Sequence, residues 1–185
     1  LSEVEEVVGK EPERIFVEMP RENEINKTTK DSRKKKLSIL YGALKKEGDE
    51  WKKEIDARSE ADFRIKKLYL YYMQQGKCLY SGESMDLEEL LSENSKYDIE
   101  HIYPRHFIKD DSIENNIILV NKKLNAAKGD TYPIDANIRK QCYGMWKNLR
   151  ENHFITEEKF KRLTRATEFS AEDKAGFINR QLVET

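Results

Sequence analysis

A carboxylate and an imidazole stand next to each other in YDIEHIYP, residues 97–104, as Glu100 and His101. Asn115, Asn116 and Asn125 follow downstream. Histidine is a base near neutral pH. A carboxylate and a carboxamide oxygen are hard donors of the kind Mg²⁺ takes. This is the residue set of a one-metal phosphodiester cleavage, with His101 as the base and Glu100 and Asn125 on the metal. An isolated acid–histidine pair is more often a surface pair or a satisfied core histidine. The pair therefore gains meaning only from the elements that position it.

Those elements are legible. Residues 97–102 end an apolar strand bounded by Pro104, and residues 117–120 (IILV) form a second, β-branched one. A short helix follows, with Asn121 placed to cap its start and Gly129 to end it. Asn125 lies on that helix. The order is strand, loop, strand, helix. The remaining chain reads as helix: residues 32–46, ended by Gly48; 61–75; a short one at 86–92; one from Asp135 to about residue 152; and one capped by Thr156. Ser170 and Asp173 have capping-box spacing at the start of a last helix. Tyr69, Tyr71 and Tyr72 are interleaved with Leu68, Leu70 and Met73, which marks them as core rather than as a base-stacking platform.

The strand–loop–strand–helix arrangement resembles the ββα-metal fold of HNH endonucleases. The chain also resembles, nearly end to end, one stretch of the type II CRISPR RNA-guided DNA endonucleases. The matching pieces are IFVEMPRE at 15–22, LYLYY at 68–72, YDIEHIYP at 97–104, KDDSIEN at 109–115 and DKAGFINRQLVET at 173–185. The resemblance implies an α+β, mostly helical fold with a ββα-metal core surrounded by helices. It implies His101 as general base, Glu100 and Asn125 as ligands of Mg²⁺ (or Mn²⁺), and Asn115 as the asparagine bracing the inter-strand loop. It places Lys128, one turn past Asn125, on a nucleic-acid phosphate. Glu100 departs from the family pattern, which has Asp there; the charge is kept and the reach is longer by one methylene.

The same resemblance implies an excised piece of a larger bacterial, cytoplasmic enzyme. Residues 1–30 would be a fragment of a RuvC-like domain with the start of a linker, residues 31–167 the HNH domain, and residues 168–185 a second linker. Glu18 would match a RuvC-type metal ligand, idle here without its partners. The implied substrate is the DNA strand paired with guide RNA, and the partners are the guide RNA–target DNA heteroduplex and the rest of the nuclease. The piece itself is expected to be a monomer with no membrane contact.

Composition fits these expectations. Charged and apolar residues each make up 37% of the 185-residue chain, and no stretch approaches the roughly 20 apolar residues of a membrane span. Cys78 and Cys142 are far apart in sequence and have no CxxC partners, so they cannot build a zinc knuckle; Cys78 reads as a reduced, packed thiol. The net charge of −1 conceals an uneven distribution. Residues 26–67 hold 14 basic and 8 acidic side chains, and residues 119–150 hold 7 and 2. The second stretch carries Asn125, which puts a positive field beside the candidate site. Two other readings compete: a self-contained HNH enzyme with its own DNA-reading module, of which the sequence has no sign, and a helical interaction module whose histidine and asparagines are incidental.

Overall fold

A computed structural model describes residues 32–173 and 176–177, all within the unit Ser32–Thr185. Glu18, the expected RuvC fragment at 1–30 and most of the last segment lie outside the described residues.

Helix α1, Arg33–Ala43, starts where Ser32 Oγ accepts the Lys35 N–H. A 3₁₀ turn, Lys45–Glu47, leads into α2, Asp49–Ala57. Sequence reading does not mark α2, because only Trp51 and Ile55 signal its apolar face. Gly48 joins the two with φ −94°, an ordinary right-handed value. Glycine is required there by proximity: a Cβ would lie 2.0 Å from the Tyr41 carbonyl oxygen. The helix expected at 61–75 divides into a 3₁₀ turn, Asp62–Arg64, and α3, Lys66–Met73, separated by the extended Ile65.

The α3 tyrosines are core residues. Tyr69 and Tyr72 are fully buried, and Tyr71 nearly so. Tyr72 meets Phe63, Trp51 and Tyr71 edge-on, and its carbonyl accepts the Tyr41 hydroxyl at 2.7 Å. Edge-to-face contacts add to the area these rings bury. Helix α4, Leu87–Leu91, is capped by Asp86.

Strands β1, Tyr97–His101, and β2, Ile117–Asn121, pair antiparallel, with Glu100 opposite Ile118 and His101 opposite Ile117. Ile117 to Val120 are buried on both faces. A two-stranded ribbon is marginal by itself, and the second edge of β2 is closed by other means. The buried Gln74 carboxamide acts as a surrogate strand: its Oε1 accepts the Leu119 N–H at 2.7 Å, and its Nε2 donates to the Leu119 carbonyl at 2.9 Å.

Asn121 Oδ1 caps α5, Lys122–Lys128, and Gly129 ends it at φ +54°, as the sequence predicts. Helix α5 packs on both strands. Helix α6, Ala136–Glu151, is capped by Asp135 and sends the Trp146 indole N–H to the Leu79 carbonyl at 2.9 Å. Helix α7, Glu157–Thr164, is capped by Thr156 and lies against α6. Ser170 and Asp173 exchange the bonds of a capping box. Both cysteines are free and buried. No helix among the described residues is long and apolar enough to cross a membrane.

Candidate active site

Of the residues singled out from sequence, Glu100, His101 and Lys128 meet at the end of β1. Glu100 and His101 are its last two residues. Helix α5 comes back over both strands and carries Asn125 and Lys128 three residues apart, hence on neighbouring turns of one face.

The Lys128 ammonium is turned inward. It donates to Glu100 Oε1 at 2.5 Å, and more weakly to the carbonyls of His101 at 3.3 Å and Gly129 at 3.4 Å. The two side chains are only 4% and 14% exposed. The charge expected to face a phosphate thus sits on the carboxylate expected to hold a metal. The cause is local. The α5 C-terminus presents carbonyls at this point, and burial requires the lysine to find a counter-charge.

His101 Nε2 lies 2.7 Å from Asp111 Oδ1. The Asp111 carboxyl is held below the usual carboxylate range, first by the His101 hydrogen bond and then by the charge of Arg105. An ionised carboxylate only accepts, so Nε2 is the nitrogen that donates in this contact, and in a neutral ring the lone pair then lies on Nδ1. Asp111 has no assigned role in the sequence reading, although it lies within the matched KDDSIEN segment. Nothing in residue spacing places it on His101, because a loop of irregular backbone brings it there.

That loop, residues 102–116, is held by Asn116, which is fully buried. Its Oδ1 accepts the Tyr103 N–H at 2.9 Å, and its Nδ2 donates to the carbonyls of Asp110 at 2.9 Å and Tyr103 at 3.2 Å. One carboxamide therefore satisfies three backbone groups that would otherwise be buried unpaired. Asn115, the residue expected to brace the loop, has its Oδ1 on the Thr156 hydroxyl at 2.9 Å and ties the loop to the start of α7. The adjacent asparagines are indistinguishable by type, and only the path of the loop separates their roles.

Among the described residues no cluster of three His, Cys, Asp or Glu could hold a metal ion. Carboxylate and carboxamide oxygens are nonetheless donors of the type a hard cation takes. Glu100 Oε2 and the Asn125 carboxamide enter no hydrogen bond among the described residues. The fully buried Tyr80 hydroxyl is likewise without a partner there, and Glu100 is the foremost charge acting on it. Burial and that charge hold the phenol protonated.

Comparison with known proteins matches the same stretch of chain to a family. Residues 78–134 match the family described as HNH endonuclease, a span that runs from Cys78 through both strands and α5. The whole chain is 38% identical over 187 residues to the CRISPR-associated endonuclease Cas9 of Streptococcus mutans and covers 13% of that protein. It is 37% identical over 187 residues to the CRISPR-associated endonuclease Cas9 of Listeria innocua, of which it covers 14%. A 132-residue match, 35% identical, joins 64% of the chain to 12% of the CRISPR-associated endonuclease Cas9 of Staphylococcus aureus.

Proposed function

The chain belongs to the HNH endonucleases, in the form found in CRISPR-associated Cas9 endonucleases, and on that premise we propose that it hydrolyses a phosphodiester bond of DNA at the end of β1, with His101 as general base. Sequence is read by base pairing in such systems. The substrate in this reading is accordingly the DNA strand paired with guide RNA, within a larger cytoplasmic nuclease. Residues 1–30 and 168–185 would join residues 31–167 to that nuclease.

The roles follow from the side chains. His101 Nδ1 takes a proton from water while Asp111 holds Nε2–H and keeps the ring in one orientation. The water oxygen then attacks phosphorus in line with the leaving 3′ oxygen. Glu100 and Asn125 are the residues that would hold a divalent cation, Mg²⁺ in this proposal. Bound there, the cation would neutralise charge developing on a non-bridging oxygen and on the leaving oxygen. Lys128 adds a positive charge that draws the phosphate towards Glu100. Asn116, with Asn115 at its side, fixes the loop that carries Asp111. Two strands and a helix carrying a base and a metal pair make the ββα-metal core of this reading.

The observation that supports the reading best is the His101–Asp111 pair, which leaves a basic nitrogen free one residue from a carboxylate. The test is cleavage of end-labelled single-stranded DNA and of an RNA–DNA heteroduplex by the full chain, with Mg²⁺ and with EDTA. Mg²⁺-dependent cutting of the DNA strand that is lost in His101→Ala is the expected result. Cutting that survives His101→Ala at the parent rate overturns it.

A further inference from the structure

Helix α7 grips the loop between the strands at three points with one stripe of side chains. Thr156, Lys159 and Arg162 are spaced three residues apart, so they share a face. Thr156 Oγ1 reaches Asn115 Oδ1 at 2.9 Å. Lys159 Nζ donates to the carbonyls of Ile113 at 2.5 Å and Ile117 at 2.9 Å. Arg162 Nη1 holds Asp110 Oδ2 at 2.7 Å and lies over the Tyr103 ring.

Lys159 is the unusual member. It is 5% exposed, and its Nζ bonds two carbonyl oxygens and no carboxylate. Burying a cation without a bonded counter-ion is costly, and an apolar side chain of equal length would pack there without that cost. The two carbonyls it holds mark places that matter to the site. Ile117 is the strand partner of His101. Ile113 closes the short segment that starts at Asp110, the residue held by Arg162, and contains Asp111. Lys159 thus spans the return of the loop into β2, bonding the strand partner of the histidine and the end of the segment that carries the acid.

We propose that Lys159 is a positioning residue for the His101–Asp111 pair, setting the approach of Asp111 to the imidazole by clasping the carbonyls of Ile113 and Ile117. It touches no reacting atom. The inference rests on His101 being the base, but the geometry it concerns can be read without turnover.

The test uses the full chain labelled with ¹⁵N-histidine, as parent, Lys159→Met, Lys159→Gln and Lys159→Arg. In the parent, the His101 ring nitrogens should report a single tautomer with the proton on Nε2. Lys159→Met keeps the length and loses the donors. Lys159→Gln keeps donors but is too short to span both carbonyls. Both should shift to mixed tautomers, and in a chain that cuts DNA both should lower the single-turnover rate about 10- to 100-fold, the scale of a misplacement near 1 Å. Lys159→Arg should retain the parent signature. A cavity of about 510 Å³ beside Lys159, lined also by Tyr69, Met73 and Phe154, gives the larger guanidinium room.

An unchanged tautomer in Lys159→Met or Lys159→Gln overturns the proposal. So does its loss in all three variants, since a site that tolerates no substitution is only packing. If Lys159→Met does not fold, Lys159→Gln against Lys159→Arg gives the same decision. A parent that cuts no DNA but shows the expected tautomers in the series sinks the nuclease reading of the chain and leaves this inference standing.

Discussion

The His101 imidazole and the Asp111 carboxylate meet at 2.7 Å, Nε2 to Oδ1, across ten residues of chain. Asp111→Asn replaces an acceptor by a group that can also donate, so the ring is free to reverse its tautomer and put the proton on Nδ1. The rate of DNA cleavage should fall by about 10²–10⁴, the usual worth of a positioned general base. Single-turnover cleavage of the labelled strand checks it. Asp111 is exposed, so thermal stability should hardly change. Parent-like cutting by Asp111→Asn would remove the acid from the mechanism.

Glu100 is tied to Lys128 as well as to the proposed cation. Glu100→Ala therefore does two things. It deletes one of two protein ligands, and it leaves a buried ammonium without its partner, at a cost on the order of 3 kcal/mol. Urea unfolding should register the second effect, and Mg²⁺-dependent cleavage the first. Asn125→Ala should lose cleavage with little loss of stability, because its carboxamide bonds nothing among the described residues. Glu100→Asp should keep measurable cleavage, since the charge is unchanged. Glu100→Ala that unfolds at the parent midpoint contradicts the buried pair.

The Lys128 ammonium and a divalent cation place positive charge on the same carboxylate. Lys128→Met should tighten Mn²⁺ binding at this site several-fold, read from paramagnetic broadening of Glu100 and Asn125 resonances. It should also weaken binding of single-stranded DNA and make that binding less salt-dependent. Unaltered Mn²⁺ titration curves would show that the ammonium does not oppose the ion.

Burial pulls the Lys159 amine down to about 7, with Glu114 opposing and Lys36 and Arg162 adding to the shift. An unfolded lysine titrates near 10.5. Between pH 7 and 10.5 the unfolded chain thus binds a proton that the folded chain does not, and this group makes stability rise with pH, by at most about 1.4 kcal/mol per pH unit. Below pH 7 its contribution is flat. The difference in unfolding free energy between the parent and Lys159→Met, measured at pH 6.5 and pH 9, isolates it from other titrating groups. A parent that gains nothing on Lys159→Met over this range contradicts the assignment.

Asn116→Ala strands three backbone groups held inside the loop, and Asn115→Ala releases one side-chain bond. The first should cost on the order of 3 kcal/mol and the second about 1 kcal/mol. Paired denaturation curves give the comparison directly. Equal losses would mean that the two asparagines share the bracing.

The features legible in the residues alone are those that local chemistry encodes. The order strand, loop, strand, helix follows from β-branched runs bounded by Pro104 and Gly129. Cap residues Asn121, Asp135 and Thr156 each bond the backbone N–H that their type and position predict. The tyrosines of α3 read as core because aliphatic residues interleave with them. These features depend on residues within a few positions of one another. The tertiary structure decided everything that crosses the irregular loop or joins distant elements. It gave Asn116 the three backbone bonds inside the loop and Asn115 the bond to Thr156, and brought Asp111 to His101. It turned Lys128 onto Glu100, closed the edge of β2 with the Gln74 carboxamide, and laid Lys159 across the carbonyls of Ile113 and Ile117. Each is a polar side chain reaching a partner 6 to 46 positions away, and all but the His101–Asp111 contact involve a buried or part-buried group. Burial makes such a partner obligatory, but sequence spacing does not say which residue it will be, because that depends on where the chain returns in space.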